Sequence, residues 1–294
     1  MRNFTSVADV TDVTALVNEA LELKKNPYAY SQLGKNKTLG LIFLNPSLRT
    51  RLSSQKAAQN LGMEVIVMNI DKEGWALETR DGVIMNGTTV EHIREAAAVM
   101  GAYFDVLGIR SFPGLQNREE DYNEEILQKF IQFAKIPVVS LESGTQHPLQ
   151  SLADLITITE HSNSKPRPKV VLTWAPHVKP LPQAVPNSFA EWMGQADVDF
   201  VITHPEGYEL AENFSKGATI TYNQDEALQD ADFIYVKNWS AYHDYGKILT
   251  TDPSWLLTND RLANTNKAKV MHCLPVRRDL ELSSEILDGP NSLV

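Results

Sequence analysis

Four short segments carry residue types that suit anion binding and acyl chemistry. The first is Ser47-Leu48-Arg49-Thr50-Arg51. It follows an apolar run and opens a helical pattern, so its backbone N–H groups and the positive end of the helix dipole would face an anion. Ser47 and Thr50 add hydroxyl donors, and Arg49 adds a planar fork matched to phosphate oxygens. A capped helix with two solvated arginines is the plainer reading of the same residues. The second segment is Gly108-Ile109-Arg110-Ser111, where an arginine ends an apolar strand. The third is His147-Pro148-Leu149-Gln150, a histidine and an amide at the start of a helix. An imidazole there can donate to a developing oxyanion. The fourth is His272-Cys273-Leu274-Pro275-Val276-Arg277-Arg278. Pro275 fixes a bend and leaves nearby carbonyls free to accept from an amide –NH2. Cys273 is either a nucleophile or a small buried hydrophobe, and no base partner for it is evident in the sequence.

These segments need strands that end where the chemistry sits. Strands are predicted at Thr38–Leu44, Glu64–Met68, Asp105–Ile109 and Pro137–Ser140, then at Lys169–Thr173, Phe200–Thr203, Phe233–Val236 and Lys269–His272. Helices are predicted at Ser47–Asn60, Thr89–Gly101, Tyr122–Ala134, Gln183–Gln195 and Gln224–Gln229. Apolar strands alternating with helices imply parallel sheets covered on both faces. The expected fold is α/β, with two doubly wound parallel-sheet domains, residues 1–146 and 147–294, joined by an interdomain helix at 147–161. Pro148 suits the first turn of that helix. Ser162-Asn-Ser-Lys-Pro-Arg-Pro168 reads as the turn that follows. In such sheets ligands bind beyond the carboxyl ends of the strands, where all four segments fall.

The 294 residues exceed one comfortable core. With 43% hydrophobic and 22% charged residues the chain is ordinary globular protein. A net charge of −10 disfavours nucleic acid and anionic membranes as partners, so any phosphate must be held by a local cluster. The single cysteine excludes an intrachain disulfide. The start reads as lacking a signal peptide, and no apolar run is long enough to span a bilayer, which points to the cytoplasm. No metal-ligand cluster and no Gly-x-Gly-x-x-Gly is visible, so neither a metal nor a dinucleotide cofactor is expected.

Taken together and in this order, the four segments resemble the aspartate and ornithine carbamoyltransferase family over nearly the whole chain. The resemblance implies that Ser47, Leu48, Arg49 and Thr50 hold the phosphate of carbamoyl phosphate. Arg110, His147 and Gln150 would be catalytic, contacting the carbonyl and carbamoyl groups beside Pro148 and Leu149. The backbone of Cys273 and Leu274 would accept the carbamoyl amide hydrogens.

Within the family, enzymes acting on free ornithine carry Asp-x-x-x-Ser-Met-Gly, which grips the α-amine. The matching region here is Val236-Lys237-Asn238-Trp239, with no Ser-Met-Gly. A lysine in place of the acid implies a blocked α-amine. Lys72-Glu-Gly-Trp75, Trp174-Ala-Pro-His177 and Pro180-Leu-Pro-Gln-Ala-Val-Pro-Asn-Ser resemble the branch acting on N-acylated ornithines. In that branch the enzyme is a trimer, and the tryptophan matching Trp75 reaches a neighbouring subunit's carbamoyl phosphate site. Val90, Glu142, His177, Lys237 and Arg277 or Arg278 are the expected acylornithine contacts. The acetyl branch carries an acidic residue at the position of Val90, and the succinyl branch an apolar one, usually proline, from which Val90 departs while still lacking the carboxylate. A carboxylate there would oppose the succinyl carboxylate. The expected reaction is therefore carbamoyl transfer to the δ-amine of N-succinyl-L-ornithine, giving N-succinyl-L-citrulline and phosphate in arginine biosynthesis. Two readings stay open beside it: action on N-acetylornithine, and an inactive family member that binds a metabolite. The family pattern continues past Asp288–Val294 into a strand, an Asn-Arg loop and a last helix packed on the first domain. The resemblance thus implies a fold whose C-terminal helix is absent from these residues, with reduced activity.

Overall fold

The alternation of apolar runs and amphipathic segments resolves into two parallel sheets. In the computed structural model, which describes residues 2–162 and 165–294, the strands are β1 (Thr38–Phe43), β2 (Glu64–Asn69), β3 (Leu77–Glu78), β4 (Glu91–His92), β5 (Val106–Arg110), β6 (Val138–Glu142), β7 (Lys169–Trp174), β8 (Asp199–Thr203), β9 (Thr219–Thr221), β10 (Phe233–Lys237) and β11 (Lys269–Met271). The longer helices are α1 (Val13–Lys25), α2 (Arg49–Asn60), α3 (Ile93–Tyr103), α4 (Glu125–Ala134), α5 (Pro148–His161) and α6 (Ala184–Met193). Of the expected turn after α5, Asn163 and Ser164 lie outside the described residues.

The chain forms two compact units, Met1–Gly114 with Glu119–Leu149, and Leu115–Arg118 with Gln150–Val294. The division falls inside α5, between Leu149 and Gln150. The first unit holds a four-stranded sheet in the order β2-β1-β5-β6, and the second a five-stranded sheet in the order β11-β10-β7-β8-β9. All pairings are parallel. Each order has a point where successive strands leave in opposite directions, between β1 and β5 in one sheet and between β7 and β10 in the other. Ligands of open α/β sheets bind at the carboxyl ends beside such points.

Burial explains the strand assignments. Leu41, Ile42, Phe43, Leu107, Ile109 and Val138 are fully or almost fully buried in the first unit. Val170, Val171, Leu172, Ile234, Val236 and Val270 are buried in the second. Such strands read as continuous apolar runs because helices cover both faces. In the first unit α3 lies so close to α4 that a Cβ on Gly101 would sit 2.0 Å from the Ala134 carbonyl oxygen. Only glycine fits that crossing.

Three expectations at the level of elements change. The helix predicted at Thr89–Gly101 starts at Ile93. Glu91 and His92 instead pair with Leu77 and Glu78 in a small parallel ladder, and the His92 ring accepts from the Arg94 N–H at 3.2 Å as the helix cap. The helix predicted at Tyr122–Ala134 is interrupted by Glu124, whose φ of 53° is left-handed, so a separate five-residue helix at Arg118–Tyr122 precedes α4. The helix predicted from Ser47 starts at Arg49, with Leu48 as its cap residue.

Candidate active site

In the first unit, α2 begins just beyond the carboxyl end of β1. No side chain caps its first turn, so the N–H groups that lack helical partners there remain open to an anion. Arg49 and Leu48 are exposed, while Ser47 and Thr50 are half-buried. Arg110 ends β5 directly opposite Phe43 of β1, and the Leu44 N–H donates to the Arg110 carbonyl at 3.0 Å. The sheet therefore brings the Ser47–Thr50 turn and Arg110 to the ends of the two strands that flank its switch point.

Arg110 lies over the Phe112 ring, 5.3 Å from its centroid, and donates from one terminal nitrogen to Glu142. Glu142 ends β6, and the His147 Nε2 stands 3.6 Å from its carboxylate. All three side chains are about nine-tenths buried. Glu142 is expected among the acylornithine contacts, and the structure sets it beside Arg110 and His147, the two residues assigned to the carbamoyl group. A buried carboxylate flanked in this way is costly to leave alone.

The loop that delivers His147 is itself fixed. The Glu124 carboxylate accepts from the Ser143 hydroxyl at 2.7 Å, the Gly144 N–H at 3.1 Å and the Thr145 N–H at 2.6 Å, and from the Thr145 hydroxyl at 2.5 Å. The left-handed backbone at Glu124 aims this carboxylate at the loop. No sequence signal marked Glu124, because its partners lie in a distant segment.

Trp75 and Val90 occupy the surface beside the small β3–β4 ladder. Trp75 is 53% exposed, and its Nε1 donates to Glu91 at 2.9 Å; Val90 is 64% exposed. Nearby, the Arg80 guanidinium holds the Glu78 carboxyl down to about 2, and Lys129 donates to the Thr79 carbonyl and to Glu125 at 2.5 Å.

In the second unit, Lys237 ends β10 opposite Trp174, at the switch point between β7 and β10. The Asn238 amide donates to the Ala175 carbonyl at 2.6 Å, tying the two strand ends together. His177 follows two residues later. Its Nδ1 lies 3.0 Å from the Lys179 N–H, and the Arg277 Nε donates to its Nε2 at 3.0 Å. Arg278 instead forms a two-pronged pair with Asp288, both contacts at 2.8 Å. The structure thus gathers His177 with Arg277 and directs Arg278 elsewhere.

The turn carrying Cys273 and Leu274 has a cis Leu274–Pro275 peptide. The His272 Nδ1 accepts from the Leu274 N–H at 2.9 Å, and its Nε2 faces Glu281 at 3.6 Å. Glu281 also accepts from the Arg277 N–H at 2.7 Å. Burial pushes the Glu281 carboxyl up, but His272, the Arg277 N–H and Lys237 outweigh it and hold it below the usual carboxylate range. Sequence reading missed Glu281, which lies outside every recognisable segment. Gln150, in the first turns of α5, donates from Nε2 to Asp154 one turn on, at 2.8 Å.

The family descriptions match most of the chain. Residues 2–160 match the aspartate/ornithine carbamoyltransferase carbamoyl-P binding domain, and residues 183–294 match the Asp/Orn binding domain of the same family. The chain belongs to this carbamoyltransferase family. An N-succinylornithine carbamoyltransferase from Bacteroides fragilis (strain 638R) is 55% identical over 100% of this chain and 93% of its own length. An N-acetylornithine carbamoyltransferase from Xanthomonas campestris pv. campestris is 32% identical over 100% of this chain and 92% of its own length. Among solved carbamoyltransferases, a point mutant of N-acetyl-L-ornithine transcarbamylase with valine in place of a glutamate superposes with a TM-score of 0.91 at 32% identity. The likeness covers 100% of this chain and 94% of that one, and that crystal contains carbamyl phosphate and N-succinyl-L-norvaline. The two-domain parallel α/β fold expected from the sequence is the fold of this family. Among the described residues, no helix is long and apolar enough to cross a membrane.

Proposed function

We propose that this carbamoyltransferase transfers the carbamoyl group of carbamoyl phosphate to the δ-amine of N-succinyl-L-ornithine, yielding N-succinyl-L-citrulline and phosphate in arginine biosynthesis. The observation that carries the choice of substrate is the 55% identity over the whole chain to an N-succinylornithine carbamoyltransferase, against 32% to an N-acetylornithine carbamoyltransferase.

The δ-amine, deprotonated, attacks the carbonyl carbon of carbamoyl phosphate. A C–N bond forms, the carbonyl electron pair moves onto oxygen, and collapse of the tetrahedral intermediate breaks the C–O bond to phosphate. The attacking nitrogen, cationic in the intermediate, passes its extra proton to the departing phosphate. No covalent enzyme intermediate is required, so the enzyme acts by orientation and charge stabilisation. In this reading residues 1–146 form the carbamoyl-phosphate domain and residues 147–294 the acylornithine domain. Ser47, Leu48, Arg49 and Thr50 receive the phosphate at the open end of α2. Arg110, His147 and Gln150 contact the carbonyl and carbamoyl groups beside Pro148 and Leu149. The carbonyls of Cys273 and Leu274 accept the amide hydrogens. His177, Lys237 and Arg277 serve the acylornithine, with Val90 beside the acyl group. Glu142 acts by holding Arg110 and His147, as their buried contacts support.

Val90→Glu tests the acyl assignment. Two like charges at ~4 Å repel by about 1 kcal/mol in water-like surroundings and about 4 kcal/mol in partly shielded ones. The exposure of Val90 favours the lower figure. The variant should therefore lower turnover of N-succinylornithine and leave N-acetylornithine, which has no second carboxylate, unaffected. Parallel citrulline-forming assays with the two substrates read the ratio. An unchanged ratio removes Val90 from the acyl site, and faster turnover of acetylornithine by the unaltered protein overturns the substrate choice itself.

A cytoplasmic homotrimer in which Trp75 reaches a neighbouring subunit's site belongs to the same reading. The half-exposed indole held by Glu91 supports it. Trp75→Ala and Arg49→Ala subunits, each nearly inactive alone, should regain activity on mixing, because a hybrid assembly contains a site free of both defects. Absence of recovery after verified subunit exchange sinks the shared site.

A further inference from the structure

Gln150 is an amide, and an amide can offer either its oxygen or its nitrogen to a ligand. Something must decide which. The Nε2 donates to Asp154 Oδ1 at 2.8 Å, one helical turn further along α5. An i, i+4 spacing places the two side chains on one face of the helix. Asp154 is 5% exposed. The Tyr235 hydroxyl of β10 lies beside it, and Cys273 is the next ionisable neighbour of that hydroxyl. Burial raises the Asp154 carboxyl to about 7, against the opposing bonds from Gln150 and Tyr235, and burial likewise raises the Tyr235 hydroxyl well above its usual value. Whether ionised or neutral, a carboxyl keeps one oxygen able to accept from Gln150.

A buried carboxyl in an apolar core is destabilising unless it is bonded, and an apolar residue of the same shape would fit the helix without that cost. Among the described residues, the one side-chain hydrogen bond assigned to Asp154 by geometry is the one it accepts from Gln150. Its definable effect is on Gln150: with Nε2 committed to Asp154, the carbonyl oxygen Oε1 is the end turned to a ligand. An oxygen there can accept from a carbamoyl –NH2, whereas a flipped amide would present hydrogens to hydrogens.

We propose that Asp154 is a positioning residue for carbamoyl transfer, fixing the Gln150 amide so that its carbonyl oxygen receives the carbamoyl –NH2. This rests on the reading of Gln150 as a carbamoyl contact. Asp154 acts through Gln150 and touches no substrate. The Tyr235 hydroxyl of β10 is the neighbouring ionisable group on the far side of the carboxyl.

The test uses the full chain and steady-state kinetics in both substrates, with thermal melting to report folding. Asp154→Leu keeps the volume and removes the acceptor. It should raise KM for carbamoyl phosphate about tenfold, the scale of one well-placed hydrogen bond, and move KM for N-succinylornithine less than about twofold. Asp154→Asn keeps an acceptor oxygen and should stay within about threefold of the original KM. In a Gln150→Ala background, Asp154→Leu should add nothing. Full additivity, or an Asp154→Asn variant as impaired as Asp154→Leu, overturns the positioning role. A KM for carbamoyl phosphate unchanged in Gln150→Ala alone overturns the underlying reading of Gln150 and the proposal with it. If Asp154→Leu does not fold, Gln150→Glu answers the question. It sets two carboxylates face to face and should impair carbamoyl phosphate binding, and adding Asp154→Asn supplies an –NH2 donor that should recover it severalfold. No recovery refutes the proposal.

Discussion

Replacing Arg110 with alanine is expected to lower kcat by about 10²–10³, the usual loss when one donor to a developing oxyanion is removed. The same change should weaken the fold, because Glu142 would remain nine-tenths buried without its guanidinium partner. Breaking one partner of a buried pair costs roughly 3–5 kcal/mol. The two effects separate in a double variant. Arg110→Ala with Glu142→Gln removes the stranded charge, so its melting temperature should recover while its rate stays low. Stopped-time citrulline assays and calorimetric melting read the two quantities independently. A rate within tenfold of the original protein in Arg110→Ala would remove Arg110 from the chemistry and leave it a structural ion-pair partner.

The second large effect falls on ligand affinity without a stability change. Arg49 is exposed in the uncapped first turn of α2. Arg49→Ala should leave the melting temperature nearly unchanged, since exposed substitutions away from special contacts stay within about 0.5 kcal/mol. Carbamoyl phosphate binding should weaken by at least ~1.5–3 kcal/mol, the range for a hydrogen bond to a charged group. The open N–H groups of the helix would still attract the anion, but with the arginine's charge gone. Isothermal titration with carbamoyl phosphate measures the difference directly. A loss below about one kcal/mol would mean that the helix terminus suffices and Arg49 is not a phosphate ligand.

The parts of this molecule that could be read from sequence are those with local signatures. The eight main strands were visible because each is an apolar run bounded by polar residues, and their ends moved by one or two positions only. The Ser47–Thr50 turn was visible because a phosphate-suited cluster follows a strand and opens a helix. The order of strands was not written locally, yet it is what brings Arg110 alongside the β1 end. The β3–β4 ladder escaped because two-residue strands have no periodicity, and Glu91 and His92 look helical from their neighbours. Glu124 escaped because glutamate is a poor marker for a left-handed turn. The buried carboxylates Asp154 and Glu281 were silent for a related reason. Their meaning lies in partners such as Tyr235 and Lys237 that the chain reaches only through tertiary folding, and no spacing rule connects them. Glu142 was visible as a strand-end acid, but its assignment depended on which neighbours the sheet supplied.

The division of the chain has a practical side for anyone cutting it. The polypeptide passes from one unit to the other at 114–115, returns at 118–119, and passes again inside α5 at 149–150. A single scission after Leu149 would leave the four residues Leu115–Arg118 covalently attached to the wrong fragment. Arg118 would then be severed from its own unit's Tyr242, against whose ring it stacks at 4.5 Å and to whose carbonyl it donates at 3.1 Å. Any clean division of the protein must therefore carry Leu115–Arg118 along with the second unit, to which these four residues belong.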